Sequence, residues 1–112
     1  MEELPVVALS YEVYKKLLSL TAAIDRKYRY TLGEQVVASC RDVLQQLILA
    51  KHAPKPLKIN YLDAATAAAE LTALQLRAIL ELNLANETNC LKLQAKITET
   101  RRMLGGWRKS LM

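Results

Sequence analysis

His52 is the single imidazole of this chain, and Cys40 and Cys90 are its two thiols. Nucleophilic or general acid–base catalysis needs such groups side by side in a cleft. Their placement in the sequence argues against that. His52 lies in the proline loop His52-Ala53-Pro54-Lys55-Pro56, where an exposed structural role is expected. Two cysteines in separate apolar segments, with one histidine, have no zinc-ligand spacing. They read as buried thiols rather than a disulfide framework. Asp63, Glu70 and Glu81 lack the clustered partners of a metal-dependent nuclease. No glycine-rich phosphate loop occurs. The expectation is a protein without catalytic residues, metal, cofactor or small-molecule substrate.

The chemistry that does recur is cationic. Sixteen Lys and Arg against eleven Asp and Glu give a net +5. Residues 1–25 carry −2, residues 26–58 carry +5, residues 59–90 carry −3 and residues 91–112 carry +5. Like charges gathered in segments point to a surface field, for which nucleic acid is the common partner, or to a solvated basic face. The candidate contacts are Arg26, Lys27 and Arg29; Lys51, Lys55 and Lys58; and Arg101, Arg102, Arg108 and Lys109. Tyr28 and Tyr30 alternate with Arg26 and Arg29. They either stack on unpaired bases or close the end of a helical bundle with their hydroxyls in water.

Four helices are expected to position these residues. Apolar spacing predicts a first helix over Ser10–Ile24, with Tyr14, Leu17, Leu18, Thr21 and Ile24 on one stripe. Asp25–Tyr30 reads as a polar break. Thr31-Leu32-Gly33-Glu34 has the form of a capping box, so the second helix should begin after Thr31 and run to about Lys51. Its apolar face is Val36, Cys40, Val43, Leu44 and Leu47. The prolines at 54 and 56 stop it. A third helix covers about Leu57–Leu84, with Asp63, Glu70 and Arg77 repeating every seven positions, Glu81 one turn after Arg77, and mostly Ala and Leu elsewhere. So narrow a polar stripe implies burial of most of the circumference, part of it against another subunit; the alternative is an Ala-rich helix stable by propensity alone. A fourth helix, capped by Asn86 or Thr88, runs toward Trp107 with Leu93, Ile97, Leu104, Trp107 and Leu111 on one face. Gly105-Gly106 either ends it or admits a close neighbour.

At 112 residues the chain is one domain, residues 1–112. Short breaks between helices favour an all-α, antiparallel up-down-up-down four-helix bundle that assembles as a homo-oligomer. In that topology the second inter-helix loop and the end of the last helix share one end of the bundle, and Arg26, Lys27 and Arg29 mark the other. The start, Met1-Glu2-Glu3-Leu4-Pro5, is acidic where a secretory signal would be basic. No apolar run approaches the roughly 20 residues of a membrane span. A soluble, cytoplasmic protein with no membrane partner is expected.

Arg26–Glu34 resembles the start of the second helix in the accessory variability determinant proteins of diversity-generating retroelements. Arg102-Met103-Leu104-Gly105-Gly106-Trp107 resembles that family's C-terminal motif of Arg, two apolar residues, Gly, a small residue and Trp. Leu4-Pro5-Val6, Tyr11, Tyr14, Lys15 and Arg77 are similar as well. The resemblance spans nearly the whole chain. It gives Thr31, Gly33, Glu34, Gly105, Gly106 and Trp107 structural roles. It implies a four-helix subunit forming a basic homopentamer, with no catalytic activity of its own. The implied partners are the element's reverse transcriptase and a structured template RNA, or the cDNA or RNA–DNA hybrid made from it. Such a protein supports mutagenic cDNA synthesis in a bacterial or phage-infected cell. The chain departs from the pattern with Ala73 where a second Arg is usual, one turn before Arg77, and with Arg101 where a small or apolar residue is usual. A four-helix protein of a ribosomal RNA intervening sequence, or a helical protein-interaction module, are the alternatives.

Overall fold

Pro5 opens the first helix, because its fixed φ suits the first helical position and its missing N–H is not needed there. The computed structural model describes residues 4–112, so the acidic start Met1–Glu3 lies outside the described residues. Helix α1 (Pro5–Ala22) is followed by a short α2 (Arg26–Tyr28), a π-helical turn (Arg29–Gly33), and then α3 (Glu34–His52), α4 (Lys55–Glu81) and α5 (Glu87–Ser110). No strand occurs among the described residues.

Two sequence expectations are corrected here. Helix α1 starts five residues before Ser10 and buries Val6, Val7, Ser10, Val13, Leu17 and Thr21. Its buried stripe is therefore rotated from the expected one, and Leu18 is left 45% exposed. Thr31 and Glu34 do not form a capping box. The Asp25 side chain caps the segment earlier, accepting from the Lys27 N–H at 3.3 Å, and the chain stays helical from Arg26 onward. Thr31 instead donates its hydroxyl to the Tyr28 carbonyl at 3.3 Å inside the π turn. A helix already under way offers Thr31 no amides to cap. The π turn absorbs an extra residue, and Gly33 within it is buried against Thr21 of α1.

The other boundaries follow their local chemistry. Pro54 and Pro56 separate α3 from α4, with Pro56 inside the first turn of α4 rather than before it. Asn86, not Thr88, caps α5 by accepting from the Asn89 N–H at 3.0 Å. Helix α5 runs through Gly105 and Gly106 to Ser110, so the glycines do not end it.

Long-range pairs show the helix directions. Ser39 on α3 donates to Gln75 on α4, Arg108 near the end of α5 meets Asp63 near the start of α4, and Lys96 on α5 meets Glu12 on α1. Neighbours are antiparallel, and α1 packs on both α3 and α5, closing a four-cornered ring. The bundle measures 43 × 25 × 22 Å. One apolar cluster fills the end near the π turn with Leu17, Ile24, Val36, Leu76, Ile79, Cys90 and Leu93. A second fills the other end with Val6, Leu47, Ala50, Leu62, Ala65 and Leu104.

Trp107 is only partly buried; it lines an open apolar groove with Leu4, Pro5, Val6 and Met103. Leu104, one turn earlier, is fully buried. Leu104→Ala should cost roughly 2–5 kcal/mol, and Trp107→Ala less than that, because its ring gives up less buried area. Urea denaturation of the two variants checks the order.

Candidate functional site

Antiparallel packing gathers the α3–α4 turn and the last turns of α5 at one end of the bundle. The cations there divide into two kinds. Lys58 donates to the carbonyls of Ala50 and Lys51 at 2.7 and 3.1 Å, which satisfies the last turn of α3. Arg108 Nε meets Asp63 at 2.6 Å, and Arg102 Nε meets Glu99 at 2.9 Å. That hydrogen bond, with the Arg102 charge, holds the Glu99 carboxyl below its ordinary value. Lys51, Lys55, Arg101 and Lys109 have no carboxylate partner among the described residues.

At the opposite end Arg29 donates from Nε to the Ile24 carbonyl at 3.2 Å, bracing the turn out of α1. Lys27 lies 5.5 Å from the Tyr28 ring centre. Arg26 is exposed. Tyr28 packs on the apolar core and closes the bundle end, whereas Tyr30 is 60% exposed. Arg77 stands apart, bound to Glu81 at 2.7 Å on the surface of α4. The sequence-derived cations therefore occupy two ends of a 43 Å body and one helix face, not a single patch.

A further cationic feature had no counterpart in the sequence reading. Lys16 of α1 and Lys92 and Lys96 of α5 line a cleft of about 440 Å³ along the α1–α5 seam. Ser19, Asn86 and Asn89 share its lining with the apolar Leu20, Ala23, Leu84, Ala85 and Leu93. Lys96 Nζ contacts Glu12 at 3.0 Å, and this bond holds the Glu12 carboxyl below its ordinary value. Lys15 sits beside the cleft, 4.8 Å from the Tyr11 ring centre. The only hint in the sequence is Lys92 and Lys96 at a spacing of four, one helical turn apart. Their meeting with Lys16 depends on the antiparallel closure of α1 on α5.

Helix α4 presents a second surface. Leu57, Leu71, Leu74 and Leu82 are 46–53% exposed, with exposed Ala64 and Ala67 between them. These residues form a row on the side away from Leu62, Ala65, Ala69, Thr72, Leu76 and Ile79, which face the core. The charges Asp63, Glu70, Arg77 and Glu81 are exposed too. Within one chain, α4 is thus buried along one stripe, not around most of its circumference.

The groups that suggested chemistry stand apart. Cys40 and Cys90 are buried free thiols, and burial pushes Cys40 up to about 12. A reactive thiolate needs the opposite shift. His52 is the exposed last residue of α3. Among the described residues no three His, Cys, Asp or Glu side chains gather as metal ligands, and no helix is long and apolar enough to cross a membrane. No family model matches the chain, and no curated protein matches it.

Gly105 and Gly106 are exposed in the body of α5, and a Cβ built on either meets nothing within 4 Å. Their helix cost is therefore not offset by any close packing inside the chain. Gly105→Ala and Gly106→Ala should each stabilise the isolated protein by roughly 0.5–1 kcal/mol. Thermal unfolding tests this; a lowered midpoint would mean the glycines serve the fold itself.

Proposed function

We propose that the protein is a non-catalytic, self-assembling helical scaffold that binds the phosphate backbone of nucleic acid. In line with its resemblance, we assign it the role of accessory protein in a diversity-generating retroelement, joining the reverse transcriptase to a structured template RNA. The observation that carries the nucleic-acid reading is the convergence of Lys16, Lys92 and Lys96 on one cleft, beside Lys15 and in a chain of net +5. The cations at the bundle ends add to it. The pairs Arg102–Glu99, Arg108–Asp63 and Arg77–Glu81 are 40–73% exposed on both sides. Exposed pairs are worth about 0–1 kcal/mol, so phosphate oxygens can replace those carboxylates.

Self-assembly is supported by the leucine row of α4. Leu57, Leu71 and Leu74 of α4, with Leu82 at its C-cap, are near half exposure and make an apolar row of the kind that marks an interaction site. Repeating the cationic surfaces around an oligomer axis turns weak phosphate contacts into avid binding. A pentamer is the number the resemblance implies. The retroelement role rests on the motifs Arg26–Glu34 and Arg102–Trp107.

Reversing Lys16 and Lys92 together to Glu should weaken binding to a structured RNA and flatten its salt dependence. Each lost phosphate contact removes roughly 0.7–0.9 from the slope of log K against log salt. Reversing Arg101 and Lys109 is the matching test for the bundle end. Unchanged affinity and slope in both variants, with circular dichroism intact, would remove the cations as the contact surface. Leu71→Gln combined with Leu74→Gln should yield a folded species of lower mass by sedimentation; an unchanged mass would remove α4 as the assembly face. For the partner, the DNA flanking the gene should hold a reverse-transcriptase frame whose product co-purifies with this protein. A ribosomal RNA locus there would favour the intervening-sequence alternative.

A further inference from the structure

Every helix of the ring contributes to the lining of one small void between the two apolar clusters. Ser10 of α1, Cys40 of α3, Thr72 of α4 and Thr100 of α5 line it, with Val13 and Ile97 beside them. All of these residues are at most 4% exposed. The cavity admits the centre of a water-sized sphere over about 10 Å³, which is about the space of one water.

The hydroxyls in the bundle interior are not treated alike. Thr21, Thr72 and Thr100 each donate to the carbonyl four residues earlier, at 2.8–2.9 Å, and Ser39 donates to Gln75 at 2.8 Å. Ser10 does not. Its Oγ has no protein partner, although the residue is 1% exposed. A buried hydroxyl without a partner is rare in a well-packed core. Thr72 and Thr100 have spent their hydrogens on backbone carbonyls, and their oxygens keep lone pairs for accepting. One donor and two acceptors thus belong to residues that line the same water-sized space.

We propose that this cavity binds one long-lived water molecule. The water accepts from Ser10 Oγ and donates to Thr72 Oγ1 and Thr100 Oγ1, linking α1 to α4 and α5. That gives the water three hydrogen bonds, the usual number for a buried water. The consequence is a polar pin at the centre of an otherwise apolar, Leu- and Ala-rich bundle. Sliding α1 by one turn would bring Val6 or Tyr14 to the level of Thr72 and Thr100 and leave their lone pairs unmet. Buried polar groups of this kind are best attested as devices that fix register.

Oxygen-17 magnetic relaxation dispersion counts long-lived waters directly. Ser10→Val, which replaces the donor and fills the space, should lower the dispersion amplitude by one water relative to wild type. Should Ser10→Val not fold, Thr72→Val, of equal volume, should give the same loss. A stability cycle of Ser10→Ala with Thr100→Val should be non-additive, because the two hydroxyls share one water. An unchanged dispersion amplitude in the folded variant would overturn the proposal. So would strict additivity in the cycle, the result expected if Ser10 donates to its own helix instead.

Discussion

The packing of α1 against α5 is the contact on which the surface of this molecule depends. The other neighbours in the ring are held together by chain connection as well as by side chains, since tight turns join α3 to α4 and α4 to α5 and the π-containing segment joins α1 to α3. No turn holds α1 to α5. Val13 and Leu17 must find Leu93 and Ile97 at one end, and Val6 must find Leu104 at the other, by apolar burial alone. The Lys96–Glu12 pair is partly exposed and adds direction more than stability. This closure also creates the cleft that gathers Lys16, Lys92 and Lys96. Burial and the cationic cleft are two results of one packing event.

Charge on the rest of the surface obeys a second constraint. Three acids of segment 59–90, Asp63, Glu70 and Glu81, belong to α4, and α4 lies next to α5. Asp63 therefore faces Arg108 across the seam, while Glu81 faces Arg77 on its own helix. The strongest clusters read from the sequence are in this way partly neutralised once folded. At the α1–α5 seam Glu12 interacts with three lysines, Lys96, Lys16 and Lys15. Net charge by segment locates cations along the chain, but the field outside depends on which carboxylates the fold brings opposite them.

Much of the helix pattern was legible because it is periodic. Val36, Cys40, Val43 and Leu47 are buried as their spacing requires, as are Leu93, Ile97 and Leu104. Asn86 was one of two candidate caps, and it is the one used. The failures are local competitions. Thr31 and Glu34 have the spacing of a capping box, but Asp25 had already capped the chain six residues earlier, and the π turn carried the helix through. The first helix was placed from Ser10 by the stripe Tyr14–Ile24, yet Ser10 is buried inside α1, which begins at Pro5. The lysine cleft was not legible, because Lys16 and Lys92 lie 76 residues apart and meet only through tertiary closure. Ion pairs such as Asp63–Arg108 were hidden for the same reason.

Gly105 and Gly106 share one property with the leucine row of α4. Each is unfavourable in an isolated chain: glycine lowers helix stability, and exposed leucines leave apolar area in water. Neither is compensated by a contact within the described residues. The glycines lie beside Arg102 and Lys109 on the exposed side of α5, while the leucines lie on the outward side of α4, so two different surfaces carry the uncompensated features. A bare, cationic helix surface suits close approach of a polar backbone, because removing side chains shortens the distance from the arginines to phosphate. An apolar helix row suits a like surface on a second copy, where leucines meet leucines and water is excluded. The two kinds of surface do not coincide, so the proposed scaffold can assemble through one and bind through the other at once.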